Sequence, residues 1–380
     1  MINLLLMPES FTSGMAGSKR VGNFLSYLFE TNSFKITNVI LFSGSVQSQS
    51  SEFSFVKQIN LVYSNPFFRT IKVIKSLIQL HEKGCKNILY YYGYPDILNI
   101  IFLFKAKKLG YKIVFDIVEN NFLIGRFNSI KTRIRTYTSK ILFKYLNSLA
   151  SGIICISSQL NEFIIYSLGN TVPIILLPVT IIKEKFPQIQ VPFKFNLPIR
   201  LFYGGSFGEK DGLIFLLQAF DIVANQYNVE LHLSGKGNIK DERFIRDYIS
   251  GLTHKDKIYI TGFLNEEDYY NLLNNADIHC MTRNGSTYAN SGFPFKLGEM
   301  LATGRPVIAT KVGDVEKYVN NDEALLIEAE SVNAISNAMI RLITDPGFAN
   351  KIGSAGRNCA LRNFEAGVHS ARLNKFLNEI

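Results

Sequence analysis

No stretch of this sequence approaches the roughly 18 consecutive apolar residues that a membrane-spanning helix needs, and the apolar run before Pro8 is too short for the core of a signal peptide. Cysteine is scarce: Cys85, Cys155, Cys280 and Cys359 stand far apart with no CxxC pair. Cys155 and Cys280 lie in apolar runs, so a disulfide scaffold is excluded in favour of core thiols in a reducing cytoplasm. The five histidines form no HxH or HExxH pattern and there is no DxD motif. These absences argue against a metal site. Zinc-finger spacing, RNP-type motifs and long basic tails are also lacking, which leaves nucleic acid the least supported partner for a chain of formal net charge +10. An anionic membrane surface or a phosphorylated small molecule accounts for the same charge.

What is present is an apolar-rich chain of 380 residues, 47% hydrophobic and 19% charged, long for one core and comfortable for two. Short apolar runs alternate with helical patterns from end to end. In the first half the expected strands are 3–6, 36–41, 87–92, 112–115, 152–156 and 172–177, with helices near 20–29, 67–83, 97–109 and 161–168. Residues 183–198 (KEKFPQIQVPFKFNLP) carry three prolines and no steady period, which reads as a linker. Alternation then resumes, with strands expected at 200–203, 230–233, 257–260, 277–281, 306–309 and 324–327, and helices at 213–225 and 266–275. Continuously apolar strands separated by helices indicate parallel sheets covered on both faces. The expected architecture is two facing, doubly wound Rossmann-like α/β domains, 1–182 and 199–362, with ligands beyond the carboxyl ends of the strands and a shared cleft. The terminal segment 363–380 has one apolar helical face, which packs either back on the first domain or on the second.

Four clusters carry the chemistry. In SGFPFKLGEMLATGRPVIATKVG (291–313) a glycine loop enters a helix expected from about residue 295, which suits an anionic ligand. Glu299, one turn in, is an acceptor suited to a pair of ribose hydroxyls, and Lys296 adds positive charge; the alternative is a solvated helix face. In LFYGGSFGEKDGL (201–213) a strand ends in Gly204, Gly205 and Ser206, and Lys210 precedes a helix within reach of a diphosphate. LHLSGKGN places Gly235 and Gly237 at another strand end, a pattern that tight turns also use. YITGFLNEEDYYNLL ends a strand at Gly262 and Phe263, where a base could rest, and Asn265 with Asp268 reads as a helix cap.

In this order and spacing, the four clusters resemble the donor half of a GT-B glycosyltransferase of the retaining family 4 type. The match spans 200–319, and GFPFKLGEMLATGRPVIA is similar to the family's GF-x-x-x-x-x-E-A-M-A-x-G-x-P-V-I-A. The resemblance implies a UDP- or GDP-sugar donor as substrate with no further cofactor, Glu299 on the donor ribose and Lys210 on the diphosphate. Gly205, Ser206, Gly235, Phe263, Ser291, Phe293, Phe295 and Lys296 complete the expected donor site. Two departures stand out: Ser291 occupies the place of the family's first Glu, and the Arg usual before Lys210 is replaced by the Gly205–Ser206 stretch, for which Lys296 is the inferred substitute. In the first domain PESFTSGMAGSKRVGNFL supplies Gly14 and Gly17, expected to face the donor phosphates. Asp116 and Glu119, in IVFDIVEN, are either catalytic or a cap and a structural carboxylate.

Residues 126–149 contain Arg126, Lys131, Arg133, Arg135, Lys140 and Lys144 and no acid, with Ile130, Ile134, Tyr137, Ile141 and Tyr145 at helical spacing. Such a helix either lies on anionic lipid or buries its apolar stripe in the domain core; the core reading is preferred. The function expected from the sequence is glycosyl transfer to a hydroxyl acceptor, a glycan or lipid-linked glycan of bacterial surface polysaccharide synthesis, by a cytoplasmic enzyme, peripheral on the membrane in the lipid reading. The rival readings are a non-catalytic scaffold of the same fold and a nucleotide-sugar 2-epimerase.

Overall fold

The structure, a computed structural model, describes residues 1–8, 16–43, 56–63, 65–123, 130–187 and 192–380. The chain divides into two compact units, Met1–Pro178 with Ala366–Ile380, and Val179–Glu365.

The first unit holds a seven-stranded parallel sheet: β1 (Ile2–Met7), β2 (Phe34–Ser43), β3 (Lys57–Tyr63), β4 (Lys86–Tyr92), β5 (Lys112–Ile117), β6 (Ala150–Cys155) and β7 (Ile174–Leu176), in the order β3-β2-β1-β4-β5-β6-β7. Its helices are α1 (Ala16–Glu30), α2 (Pro66–Leu80), α3 (Ile100–Lys108), α4 (Ile130–Leu142), α5 (Leu146–Leu149) and α6 (Ser158–Leu168). Local chemistry sets their starts. Asn65 accepts the Phe68 N–H (3.0 Å) ahead of Pro66 at the first position of α2, and Ser157 accepts the Leu160 N–H (3.3 Å) at α6. Strand β3 is absent from the sequence expectation. Lys57, Gln58 and Asn60 interrupt the apolar run because β3 is an edge strand, only half covered.

The second unit repeats the topology with six parallel strands: β7 is followed by β8 (Ile199–Gly204), β9 (Val229–Ser234), β10 (Ile258–Gly262), β11 (Ile278–Met281), β12 (Val307–Thr310) and β13 (Leu325–Ile327), ordered β10-β9-β8-β11-β12-β13. Its helices are α7 (Leu213–Ala224), α8 (Ile239–Ser250), α9 (Glu266–Asn274), α10 (Thr287–Ser291), α11 (Leu297–Ala302), α12 (Val315–Tyr318), α13 (Val332–Thr344) and α14 (Pro346–Phe364). Asn265 caps α9 by accepting the Asp268 N–H at 2.9 Å, and its amide donates to the Asp268 carboxylate at 2.7 Å.

Residues 183–187 and 192–198 are no free tether, contrary to the linker expectation. Arg357 donates to the Phe186 carbonyl (2.8 Å), Asn350 exchanges hydrogen bonds with the Phe193 backbone (2.7 and 3.0 Å), and the Arg305 guanidinium lies 4.3 Å from the Phe193 ring centre. The terminal helix, α15 (Ala366–Glu379), belongs to the first unit. Leu373, Phe376 and Leu377 join the core formed by Leu4, Phe24 and Ile88, and Gly152 makes room for the Phe376 ring, which an added Cβ would meet at 2.7 Å. Cys155, Cys280 and Cys359 are buried thiols, and desolvation pushes Cys280 up to about 12.

Candidate active site

In the second unit strand order reverses between β8 and β11, the switch point at which doubly wound sheets bind ligands beyond the strand ends. Beyond the carboxyl ends of β8, β9 and β10 the backbones are packed too closely for side chains. Gly205 donates its N–H to the Ser234 carbonyl (3.0 Å), and Gly235 donates to the Gly262 carbonyl (2.8 Å). Gly235 has φ +136°, and a Cβ on it would fall 1.7 Å from the Gly205 carbonyl oxygen. Gly212, at φ +63°, plays the same part beside the Thr282 carbonyl (2.1 Å) and lets α7 begin directly behind the 3-10 turn Glu209–Asp211.

That turn carries Lys210. Its carbonyl accepts the Asn284 N–H at 2.8 Å, and its ammonium lies 5.1 Å from the centre of the Tyr288 ring. Ser206 is exposed and its hydroxyl donates to the Asp211 carboxylate. The loop after β11 supplies residues the sequence reading missed. Arg283 is buried, lies 4.0 Å from the Asp211 carboxylate, donates to the Ala289 carbonyl (3.2 Å) and has its own carbonyl held by the Thr310 hydroxyl (2.8 Å). Asn284 donates to the Glu209 carbonyl at 3.0 Å. The available signal was the polar triplet Thr282, Arg283, Asn284 directly behind an apolar strand, meaningful only once β11 is known to lie beside β8.

Glu299 is 7% exposed, which rules out the solvated-face alternative. Its two carboxylate oxygens accept the hydroxyls of Tyr269 and Tyr270, both at 3.0 Å, and the Lys296 ammonium stands 3.1 Å away and 4.1 Å above the Tyr269 ring. The adjacent tyrosines of α9 were legible as residues but not as partners of a helix thirty positions on. Burial and the neighbouring carboxylate hold the Tyr269 phenol well above its ordinary range, so it stays a donor. Lys296 is therefore an ion-pair partner of Glu299.

Ser291 is buried and donates to the Tyr288 carbonyl at 2.8 Å, so it closes its own helix turn. The Phe293 ring is wholly buried against Tyr318 and Phe364, with centres 5.5 and 5.7 Å away, which corrects its place as a ligand-contacting side chain. Phe295 is part-buried, while Phe263 is exposed beyond β10 with the Lys236 ammonium 4.8 Å from its centre.

In the first unit Gly14 lies outside the described residues. Gly17 abuts the Tyr92 hydroxyl, which an added Cβ would meet at 2.3 Å. Asp116 is completely buried: one carboxylate oxygen accepts from Arg20 (2.7 Å) and from the Tyr90 hydroxyl (2.5 Å). Arg20 is equally buried and also donates to the carbonyls of Leu177 (2.8 Å) and Pro178 (3.0 Å). The catalytic reading of Asp116 is thereby corrected to the structural one, since no reacting group reaches a carboxylate enclosed on this scale. Glu119, past the end of β5, is part-exposed.

Residues 198–345 match the family model described as Glycosyl transferases group 1. The second unit carries a glycosyltransferase domain of group 1. An uncharacterized glycosyltransferase of Methanocaldococcus jannaschii is 22% identical over 336 residues, 79% of this chain and 84% of that one. An MMP alpha-(1->4)-mannosyltransferase of Mycolicibacterium hassiacum is 26% identical over 155 residues, 40% of this chain and 36% of its own. Among solved structures, sucrose-phosphate synthase from Thermosynechococcus elongatus superposes with TM-score 0.78 at 16% identity, covering 100% of this chain and 98% of that one. The Anabaena protein HepE in complex with UDP-glucose gives 0.74 at 13% identity, with 100% of both chains covered. At such identities the likeness shows the fold, and the fold of this chain is GT-B.

Proposed function

We propose that this glycosyltransferase takes a hexose from a UDP- or GDP-sugar and places it, with retention of anomeric configuration, on a hydroxyl of a growing, lipid-linked glycan of bacterial surface polysaccharide synthesis. The observation that carries the donor part is the switch point of the second unit. Lys210 and the start of α7 lie directly behind the carboxyl end of β8, where an anionic diphosphate would find a cation and helix N–H groups, with the oriented carboxylate of Glu299 on the family motif. HepE, of the same fold, is known in complex with UDP-glucose. Retention and the acceptor class are supported by the resemblance of 291–313 to the retaining family 4 signature.

In this reading the bond from the anomeric carbon to the β-phosphate oxygen breaks, its electron pair leaving with the nucleoside diphosphate. The acceptor oxygen forms the new glycosidic bond and passes its proton to the departing diphosphate oxygen. Lys210 and the first N–H groups of α7 stabilise the charge on the departing diphosphate. Glu299, held in plane by the two tyrosines, accepts from the donor ribose, and fixed positioning of the reactants lowers the remaining barrier. The test is product analysis with labelled UDP- and GDP-sugars and a lipid-linked glycan acceptor. A glycosylated acceptor with the donor's anomeric configuration is expected. A donor epimerised at C2, or no product of either kind from a protein that binds nucleotide, would overturn the assignment.

A further inference from the structure

Helix α4 turns its apolar stripe away from the protein. Ile130, Ile134, Tyr137 and Ile141 are 78, 55, 66 and 49% exposed, while buried Ser139 and part-buried Thr136 face inward. This overturns the expectation that the stripe enters the core. A domain helix ordinarily buries its apolar side, so an outward one marks a surface with an occupant.

The charge around the stripe says which occupant. Arg133, Lys140 and Lys144 recur at helical spacing along one flank of it, all exposed, and residues 126–149 contain no Asp or Glu. On the other side of the helix Arg135 is bound to the buried carboxylate of Asp96 (2.5 Å), which fixes α4 on the unit and sets the orientation of the stripe. Next to Asp96, Ile97, Leu98 and Ile101 are exposed at the start of α3. Arg69 donates to the Leu98 carbonyl (2.8 Å) and the Asn99 side chain (2.6 Å), which draws in the first turn of α2, where Phe67 and Phe68 are exposed as well. Residues 65–80 and 97–115 likewise contain no acid. Three neighbouring elements of the first unit thus present apolar side chains with lysine and arginine beside them and no negative charge. A second copy docked by two-fold symmetry would set this basic surface against itself. At thirteen residues α4 is too short to span a bilayer, and among the described residues no helix is long and apolar enough to cross one.

We infer that α4, with the exposed starts of α2 and α3, is the docking surface of this enzyme for an anionic lipid bilayer: the apolar stripe enters the headgroup region and Arg133, Lys140 and Lys144 meet lipid phosphates. The inference deepens the acceptor reading, because a lipid-linked glycan is presented at a bilayer. Its test uses no sugar transfer, so either can fail while the other stands.

The experiment is co-sedimentation of the full chain with phosphatidylcholine vesicles with and without about one third phosphatidylglycerol, at low and high salt. Binding to the anionic vesicles alone, weakened by salt, is expected. Ile134→Ser with Tyr137→Ser should lower the partition coefficient by at least about tenfold, and Lys140→Gln or Lys144→Gln by about fivefold each. Ile239→Ser, an exposed apolar residue of the second unit, should leave it unchanged. Retained thermal unfolding of each variant shows that it folds. No binding to anionic vesicles, or equal binding by the Ile134/Tyr137 variant, would overturn the inference. So would a dimer by light scattering that the same variant converts to monomer, for then the stripe belongs to a second copy.

Discussion

The two units share one strand order, yet they treat charge at corresponding places in opposite ways. In the first, a helix residue behind β1, Arg20, is driven into the interior and bound to Asp116 of β5 and to the carbonyls that end the 177–178 segment. In the second, the turn behind β8 keeps Lys210 part-exposed, and the interior of the switch point is backbone packed on glycine. Topology fixes where a doubly wound sheet can hold a ligand. Whether that place becomes a lock or a site depends on whether the cation behind its first strand is enclosed or stays at the surface.

The largest effect that can break this comparison comes from the lock. Arg20→Met leaves Asp116 buried and unpaired and should cost about 3–5 kcal/mol of stability in denaturant unfolding. The double variant Arg20→Met, Asp116→Leu should recover more than half of it, because the desolvated charge is then gone. A loss under about 1 kcal/mol for the single variant would mean that the ion pair holds nothing together.

Glycine packing gives the next effect. Gly235→Ala combines a positive φ with a Cβ driven into the Gly205 carbonyl and should cost on the order of 2–3 kcal/mol. Gly169→Ala, at φ +74° but with open space around it, should cost only about 1 kcal/mol. Equal losses would show that backbone strain, not close approach, makes the glycine necessary.

The second unit buries a titratable group too, but a neutral one. His279 lies under the sheet with Nε2 3.0 Å from the Thr303 hydroxyl, and burial with the nearby Arg305 charge lowers its pKa to about 3. In the unfolded chain it titrates near 6.5, so its contribution is fully present above that pH. It is lost as pH falls from about 6.5 toward 3, while the unfolded state binds a proton the folded state refuses. Between pH 7 and pH 5 this should remove about 2 kcal/mol, measured by urea unfolding, and His279→Leu should flatten that slope. An unchanged slope in the variant would assign the acid sensitivity elsewhere.

The smallest of these effects concerns the orientation of Glu299. Tyr269→Phe removes one of its phenol donors and should cost about 1–2 kcal/mol with a several-fold weaker nucleotide affinity. Because the folded-state pKa of Tyr269 is raised, its stabilising effect is intact below about pH 10 and is lost above it, as the unfolded chain ionises. Wild-type nucleotide affinity in Tyr269→Phe would show that the phenol does not position the carboxylate.

Most of the fold could be read from the sequence because parallel strands covered on both faces announce themselves as continuous apolar runs. Edge strand β3, half exposed, did not. The glycines at the strand ends were legible as places where backbone comes close, but not that Gly235 would pack on the Gly205 carbonyl. The side-chain partners were not: whether Lys296 faces a ligand or Glu299, and whether Asp116 is open or locked by Arg20, depends on contacts between residues 3 and 96 positions apart. Periodicity found the apolar stripe of α4, but periodicity cannot say which way a stripe points. Its orientation is set by one ion pair, exposed Arg135 with buried Asp96.

The central claim, that the switch point of the second unit binds the donor nucleotide through Glu299, is tested most directly by thermal unfolding of the purified protein titrated with UDP, GDP, ADP and CMP, repeated on Glu299→Gln. A nucleotide at about a hundred times its dissociation constant should add roughly 2.7 kcal/mol of stability. The account predicts such a shift for UDP or GDP and a shift at least several-fold weaker in apparent affinity for Glu299→Gln. No shift with any nucleotide, or the same titration curve for a folded Glu299→Gln protein, would contradict it.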